Sequence, residues 1–131
     1  MRMRSVLTVL FLVVGPMALA QQPDDPLAEY KWQTRPLVVF ADSEFSPRFV
    51  QQMEMLADDP AALEERDVVV LIDTDPAGNG PLRQALHPNG FLLVLIDKEG
   101  KVVFRKPRPW TPREISRAID KLPIRRDELG R

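Results

Sequence analysis

Beyond residue 20, the hydrophobic positions of this chain form four short runs separated by amphipathic or polar segments. Three runs are continuous and rich in β-branched, leucine or aromatic residues, which is typical of strands buried on both faces. They occupy residues 37–41, 68–72 and 91–96. The fourth run, residues 101–106, alternates polar and apolar side chains and places Val102 and Phe104 on one face. The pattern therefore predicts four strands, the last of them an edge strand.

Helix signals lie between these runs. Ser46-Pro47 supplies an N-cap and a first-turn proline, apolar side chains then recur at helical spacing, and Asp59-Pro60 ends the segment. A helical turn over residues 61–65 and a short helix over 81–86 are predicted before the second and third strands. The final helix begins at Thr111-Pro112-Arg113-Glu114, whose threonine and glutamate have the spacing of a capping box.

The order of these elements predicts an α/β fold. Two apolar strands joined through a helix are expected to be parallel, with a right-handed crossover. The turn sequence DKEG at 97–100 predicts an antiparallel hairpin of the third and fourth strands. This arrangement resembles the thioredoxin-like core, which implies a three-layer sandwich: a four-stranded mixed sheet of order 2-1-3-4 flanked by helices.

Several segments resemble the DUF4174 family at the level of sequence motifs. They are RPLVVFA at 35–41, RDVVV at 66–70, GFLLVLIDKEG at 90–100 and RKP at 105–107. The resemblance spans residues 26–123 and implies a short exported bacterial protein of unknown function, with the same domain found in some secreted animal matrix proteins. These motifs mark strands and turns and carry no established chemistry.

The first 20 residues have the pattern of an export signal. Arg2 and Arg4 precede an apolar run at 6–14, and Ala18-Leu19-Ala20 provides small residues for a signal peptidase. An uncleaved anchor is the alternative, but the run is shorter than the roughly 20 residues of a spanning helix. A lipid anchor is excluded because the chain has no cysteine. We expect cleavage after Ala20 and a mature protein without a membrane span, in the periplasm or secreted.

The remaining chain divides into three parts. Residues 21–35 are predicted to be a leader whose later part docks Tyr30 and Trp32 on the domain. Residues 36–123 form the single predicted domain. Residues 124–131 are rich in charge and are expected to be a solvated, frayed tail.

Composition excludes several function classes. Without cysteine the chain cannot perform thiol–disulfide exchange or cysteine-based peroxide reduction, although the loop after the first strand, residues 42–46, is where such cysteines would lie. The formal net charge of −1 gives no support for nucleic-acid binding. The one histidine excludes a histidine-rich metal site, and no cofactor is predicted.

Polar side chains are expected to gather at one end of the sheet, where strand ends of open α/β folds commonly bind ligands. We call this end the strand-end pole. Its predicted members are Asp42, Ser43, Glu44, Asp73, Asp75, His87, Asn89, Arg105, Lys106, Arg108 and Trp110. Basic groups beside an aromatic side chain make an anchor for an acidic partner. The alternative interpretation is a set of solvated loop charges.

Three hypotheses for function follow from the sequence. The leading one is a non-catalytic binding module that holds an envelope protein or an anionic ligand at the strand-end pole. The second is an enzyme that uses carboxylates, or a carboxylate-bound cation, from Asp42, Asp73 and Asp75. The third is a structural domain whose partner pairs with the edge of the fourth strand. No catalytic or metal-binding residue is assigned.

The export prediction has a direct test. Protein recovered from the cell envelope should begin at Gln21, because signal peptidase requires the small residues at Ala18 and Ala20. Intact mass spectrometry should show loss of the first 20 residues, and an Ala18→Lys/Ala20→Lys variant should accumulate as precursor. Full-length natural protein held in the membrane fraction would contradict cleavage.

Overall fold

A computed structural model describes residues 25–130 of the chain, so the predicted export signal and the first part of the leader lie outside the described residues. The four predicted strands are present, with small shifts at their ends. They are β1 (Arg35–Phe40), β2 (Val68–Asp73), β3 (Leu92–Ile96) and β4 (Val102–Lys106). Their order is β2-β1-β3-β4, with β1 parallel to β2 and both other pairs antiparallel, which confirms the predicted sheet.

Each α-helix in the described part of the chain begins with proline, whose fixed φ suits the first turn and whose missing N–H would be unpaired there. The helices are α1 (Pro47–Asp58), α2 (Pro60–Glu65), α3 (Pro81–Leu86), α4 (Pro112–Asp120) and α5 (Pro123–Leu129). The capping box of α4 is formed as predicted. Ser46 occupies the N-cap position of α1, although its side chain makes no capping hydrogen bond. Among residues 25–130, no helix is long and apolar enough to cross a bilayer.

The sheet is covered on both faces, which makes three layers. One face packs Leu37, Val39 and Leu93 against α1, α2 and α4. The other packs Val38 and Phe40 against α3 and a short 3-10 turn that precedes β1. This double coverage explains why β1 and β3 are continuous apolar runs, since each buried large side chain contributes about 1.5–3 kcal/mol.

The prediction that Trp32 docks on the domain is wrong. Leu27 is buried and Tyr30 is half-buried against the second face, but the Trp32 side chain is 71% exposed. The chain turns at Trp32 with φ of 66°, and the Trp32 N–H donates to the Lys98 carbonyl at 2.7 Å. That bond fixes the turn into β1 while the indole stays in solvent.

The prediction that Val102 and Phe104 share one face is also wrong. An irregularity in the β3–β4 register lies between Leu95 and Ile96, where Leu95 pairs with Phe104 and Ile96 with Val102. The extra residue shifts the alternation by one, so Val103 and Phe104 both contact the same core face. Val102 is left 47% exposed.

The predicted solvated tail is instead a docked helix. Arg125 of α5 is buried, and Glu128 of α5 accepts from Arg35 Nη2 at 3.2 Å and from Lys98 Nζ at 2.7 Å. Lys98 also bonds Asp67 at 2.7 Å. The charges that looked like a solvated terminus therefore compensate cations elsewhere in the fold.

Arg35 lies at the centre of the ion pairs that Glu128 makes with Arg35, Lys98 and Arg125. Its side chain is 1% exposed. Its Nη1 donates to the Arg66 carbonyl at 2.8 Å, and Glu128 supplies the countercharge. Partial burial alone would raise the pKa of Glu128, but hydrogen bonds from Lys98 and Arg35, with the charge of Arg35, outweigh it and lower this pKa to about 2. Glu128 thus stabilises the fold in its charged form.

The lowered pKa of Glu128 predicts a specific acid sensitivity. Because the pKa falls from 4.5 to about 2 on folding, the stabilisation is complete above pH 4.5 and is lost between pH 4.5 and about 2. Glu128→Gln should cost on the order of 2 kcal/mol at pH 7, and this difference should shrink toward pH 2. Urea unfolding across that range measures it, with exposed Asp127→Asn as the control. A difference that does not change with pH would contradict this role.

Candidate functional site

The strand-end pole is organised by Arg83 of α3, a residue that the sequence analysis did not single out. Its Nε donates to Asp73 Oδ1 at 2.9 Å, and its Nη2 donates to the Ala41 carbonyl at 2.8 Å and the Asp73 carbonyl at 3.1 Å. The guanidinium also lies 5.4 Å from the centre of the Phe40 ring. One buried cation therefore joins α3 to the ends of β1 and β2. The sequence contains one signal for the burial of Arg83. Arg83 lies three residues before the buried Leu86, and residues three apart share a face of a helix.

The acidic members of the pole shape its loops. Asp73 Oδ1 also accepts the Asp75 N–H at 3.0 Å, and Asp75 Oδ1 accepts the Gly78 N–H at 3.2 Å. These residues line a depression of about 380 Å³ with Ile72, Thr74 and Gly80. Within residues 25–130, no group of three or more histidine, cysteine or acidic side chains is placed to hold a metal ion. The contacts of Asp73 and Asp75 are those of loop-forming residues.

His87 and Arg105 meet at the end of α3. His87 ends this helix in the left-handed conformation, with φ of 50°. Arg105 of β4 donates to the Leu86 carbonyl at 2.7 Å and to the His87 carbonyl at 3.4 Å. A second depression, of about 310 Å³, is lined by Pro76, Asn79, Arg83, His87 and Pro88. Arg105 therefore holds the edge strand to the helix that carries Arg83.

Lys106, Arg108 and Trp110 lie at the end of β4 and on the segment after it, which α1 holds. The Gln52 side chain is fully buried, donates to the Trp110 carbonyl at 2.8 Å and accepts the Trp110 N–H at 2.9 Å. Arg48 donates to the Pro107 carbonyl at 3.2 Å. Lys106 Nζ lies 4.8 Å from the Trp110 ring centre, a cation–π contact, and that ring lies 4.7 Å from the ring of Phe104. The sequence analysis missed Gln52 and Arg48 because a polar residue in an amphipathic helix is by default a surface residue.

We call Arg48, Arg105, Lys106 and Arg108 the basic cluster. None of the ion pairs found between residues 25 and 130 includes any of these four side chains. Arg108 is exposed and lies within the segment that Arg48 and Gln52 hold. The four cations of the basic cluster therefore have no carboxylate partner among the described residues, and they lie on both sides of the β4 edge: Arg105 on the α3 side and Lys106 on the Trp110 side.

The β1–α1 loop completes the pole. Ser43 Oγ accepts the Phe45 N–H at 3.0 Å, which orders the loop, yet the Phe45 side chain is 81% exposed. Asp42 and Glu44 are exposed beside it and enter none of the ion pairs of the described residues. Sequence analysis gave Phe45 no role, although a phenylalanine between acidic loop residues was visible.

Direct contacts thus join only part of the predicted set. Asp73 and Asp75 meet through a shared loop, His87 meets Arg105, and Lys106 meets Trp110. The others lie at the same end of the sheet without hydrogen bonds to these residues, and they are Asp42, Ser43, Glu44, Asn89 and Arg108.

A cavity at the opposite end of the sheet has a different character. It measures about 300 Å³ and is lined by charged residues of the β3–β4 turn, by Arg35 and by the start of α5. Arg35 and Lys98 pair with Glu128, Lys101 pairs with Glu99 at 3.0 Å, and Asp97 Oδ1 accepts backbone N–H groups of the turn. The protein itself compensates these charges, in contrast to the basic cluster.

The sheet order, the helices on both faces and the loop after β1 define a thioredoxin-like α/β domain that has no cysteine. Comparison with family models matches residues 26–128 to a domain of unknown function, DUF4174. The chain belongs to this family. No curated protein matches the chain.

Two of the solved structures with a similar fold are peroxidases of malaria parasites. The reduced 2-Cys peroxiredoxin of Plasmodium vivax has a TM-score of 0.58 at 16% identity, over 79% of this chain and 84% of that one. Thioredoxin peroxidase I of Plasmodium yoelii has a TM-score of 0.56 at 20% identity, over 80% and 81% of the two chains. At such identities the likeness shows the fold alone. The cysteine chemistry of a 2-Cys peroxiredoxin has no counterpart in a chain without cysteine.

Arg83 offers a test of how the pole is held. Arg83→Met should destabilise the protein by about 3 kcal/mol, because Asp73 and two carbonyl groups lose a buried partner. The exposed neighbour Gln84→Met should cost less than about 0.5 kcal/mol. Urea unfolding measures both, and equal effects of the two changes would refute an organising role for Arg83.

Proposed function

We propose that this protein is a non-catalytic binding module that uses the basic cluster to hold an acidic segment of another protein. The observation that carries the proposal is the absence of a carboxylate partner for these four cations within the described residues, whereas Arg35 and Lys98 at the opposite end of the sheet are paired. An uncompensated, positively charged surface attracts acidic partners and orients them during association.

The rigidity of the segment supports a recognition role. Gln52 and Arg48 hold residues 107–110 through backbone carbonyls, so binding would cost little ordering of that segment. Arg105 is held at α3, and Lys106 rests on Trp110. Arginine and tryptophan side chains on a fixed frame are typical of residues that dominate binding energy.

The compartment belongs to the same proposal. The N-terminal pattern favours export, and the expected partner is accordingly an envelope or extracellular protein with an acidic segment. The carboxylate-enzyme hypothesis has less support, because Asp73 is engaged by Arg83 and Asp75 by the backbone of its own loop.

A binding measurement with a defined acidic polymer tests the proposal. Labelled poly-L-glutamate should bind the natural protein at low salt and weaken as salt screens the charges. Lys106→Ala/Arg108→Ala should weaken binding by about tenfold, because two uncompensated cations are removed. Arg105 is left unchanged in this variant because it also holds α3. Fluorescence anisotropy gives the dissociation constants.

The matched control removes the same charge elsewhere. Arg117→Ala/Lys121→Ala changes two exposed cations on and after α4 and should alter affinity by less than about twofold. Equal losses for both pairs would mean that net charge alone attracts the polymer. That result, or no binding by the natural protein at low salt, would contradict recognition by the basic cluster.

A further inference from the structure

The two edges of the sheet are protected very differently. β4 carries Arg105 and Lys106 and has a register irregularity with β3, features that hinder pairing with another strand. β2 lies at the other edge, and its five residues from Val68 to Ile72 have no charge and no proline. They are half-buried, apart from Ile72, which is 49% exposed. Among residues 25–130 no strand pairs with the outer side of β2, and β2 carries none of the features that deter pairing with a strand of another molecule.

The hydrogen-bonding groups on the outer side of β2 can be identified. The Arg35 N–H donates to the Asp67 carbonyl at 2.7 Å, and the Ala41 N–H donates to the Asp73 carbonyl at 3.1 Å. Backbone groups alternate in direction along a strand, so the odd-numbered residues of this segment face β1. The N–H and C=O groups of Val68, Val70 and Ile72 therefore face away from the sheet.

We propose that β2 pairs antiparallel with β2 of a second copy of this chain, about a twofold axis at Val70. In this register Val70 faces Val70 of the second copy, Val68 faces Ile72 of the second copy, and Ile72 faces Val68 of the second copy. Each of these three pairs exchanges two hydrogen bonds through the outward groups, about six in all. The result is a continuous sheet across the dimer, an isologous interface of one strand with itself.

The sequence of β2 is complementary to itself in this register. Val69 faces Leu71 of the second copy, so apolar side chains meet apolar side chains along the strand. Asp67 faces Asp73 at each end, but Lys98 already neutralises Asp67 at 2.7 Å and Arg83 neutralises Asp73 at 2.9 Å. The two carboxylates that would repel across the interface are thus compensated before pairing. The basic cluster takes no part, so this inference stands apart from the proposed function.

The lack of cysteine in the natural chain gives a clean test of the register. In naturally processed protein, Val70→Cys should form a disulfide-linked dimer on mild oxidation, because opposed residues of a hydrogen-bonded pair have Cα atoms about 5.5 Å apart. Ile72→Cys should not, because residue 72 faces residue 68 of the second copy. Non-reducing electrophoresis distinguishes the two. A cross-link from Ile72→Cys but not from Val70→Cys would overturn the proposal.

Sedimentation of cysteine-free protein tests the dimer itself. The natural protein should show a concentration-dependent dimer, and Ile72→Lys should raise its dissociation constant by about tenfold or more. Val102→Lys is the matched control, since Val102 has nearly the same exposure on the other edge, 47% against 49%. A natural protein that stays monomeric, or a dimer weakened by Val102→Lys and not by Ile72→Lys, would overturn the proposal.

Amide hydrogen exchange supplies a second readout that does not depend on folding of a variant. The N–H groups of Val69 and Leu71 bond β1 and should be protected at every concentration. Those of Val68, Val70 and Ile72 should become protected only as the dimer forms. Protection of these three amides in the monomer would mean that another segment of the same chain covers the edge, and the proposal would be wrong.

Discussion

β1 has a strand on each edge and a layer of side chains on each face, and its residues from Arg35 to Phe40 are almost wholly removed from water. Polar groups at both ends of such a strand need partners inside the protein. At its start, Arg35 is compensated by Glu128 of α5. At its end, the Ala41 carbonyl accepts from Arg83 of α3. The docking of these two helices thus follows from burial of the central strand.

The need to pair polar groups at both ends of β1 is met differently at the two ends of the sheet. The start of β1 lies in a cluster of mutually paired charges, which stabilises the docking of α5. At the end of β1, Arg83 and Asp73 neutralise each other, while the basic cluster on the neighbouring edge has no acidic partner among the described residues. The proposed function is assigned to this cluster because its cations, which have no ion-pair partner among the described residues, lie at the strand-end pole beside Trp110.

Sequence patterns predicted the helices and strands correctly where interactions among neighbouring residues determine the element. Proline at a helix start, the Thr111–Glu114 capping box and the continuous apolar runs each act within a few residues, and the structure has the elements they predict. Features set by contacts between distant segments were missed. The tail was read as solvated because its charges are unpaired in sequence, yet Glu128 finds Arg35 across 93 positions of the chain. The β4 irregularity likewise depends on its partner strand.

The candidate site divides in the same way. The sequence by itself determined the absence of thiol chemistry and the end of the sheet where polar loops gather, because these follow from composition and from the alternation of strands and helices. The strand order was implied by the resemblance to the thioredoxin-like core, and the structure has that order. Only the tertiary structure decided which polar groups are engaged and which are available. Arg83 and Gln52 look like surface residues in sequence, but folding buries them against carbonyl and carboxylate groups. Compensation of charge depends on distance in space, and spacing along the chain does not encode that distance.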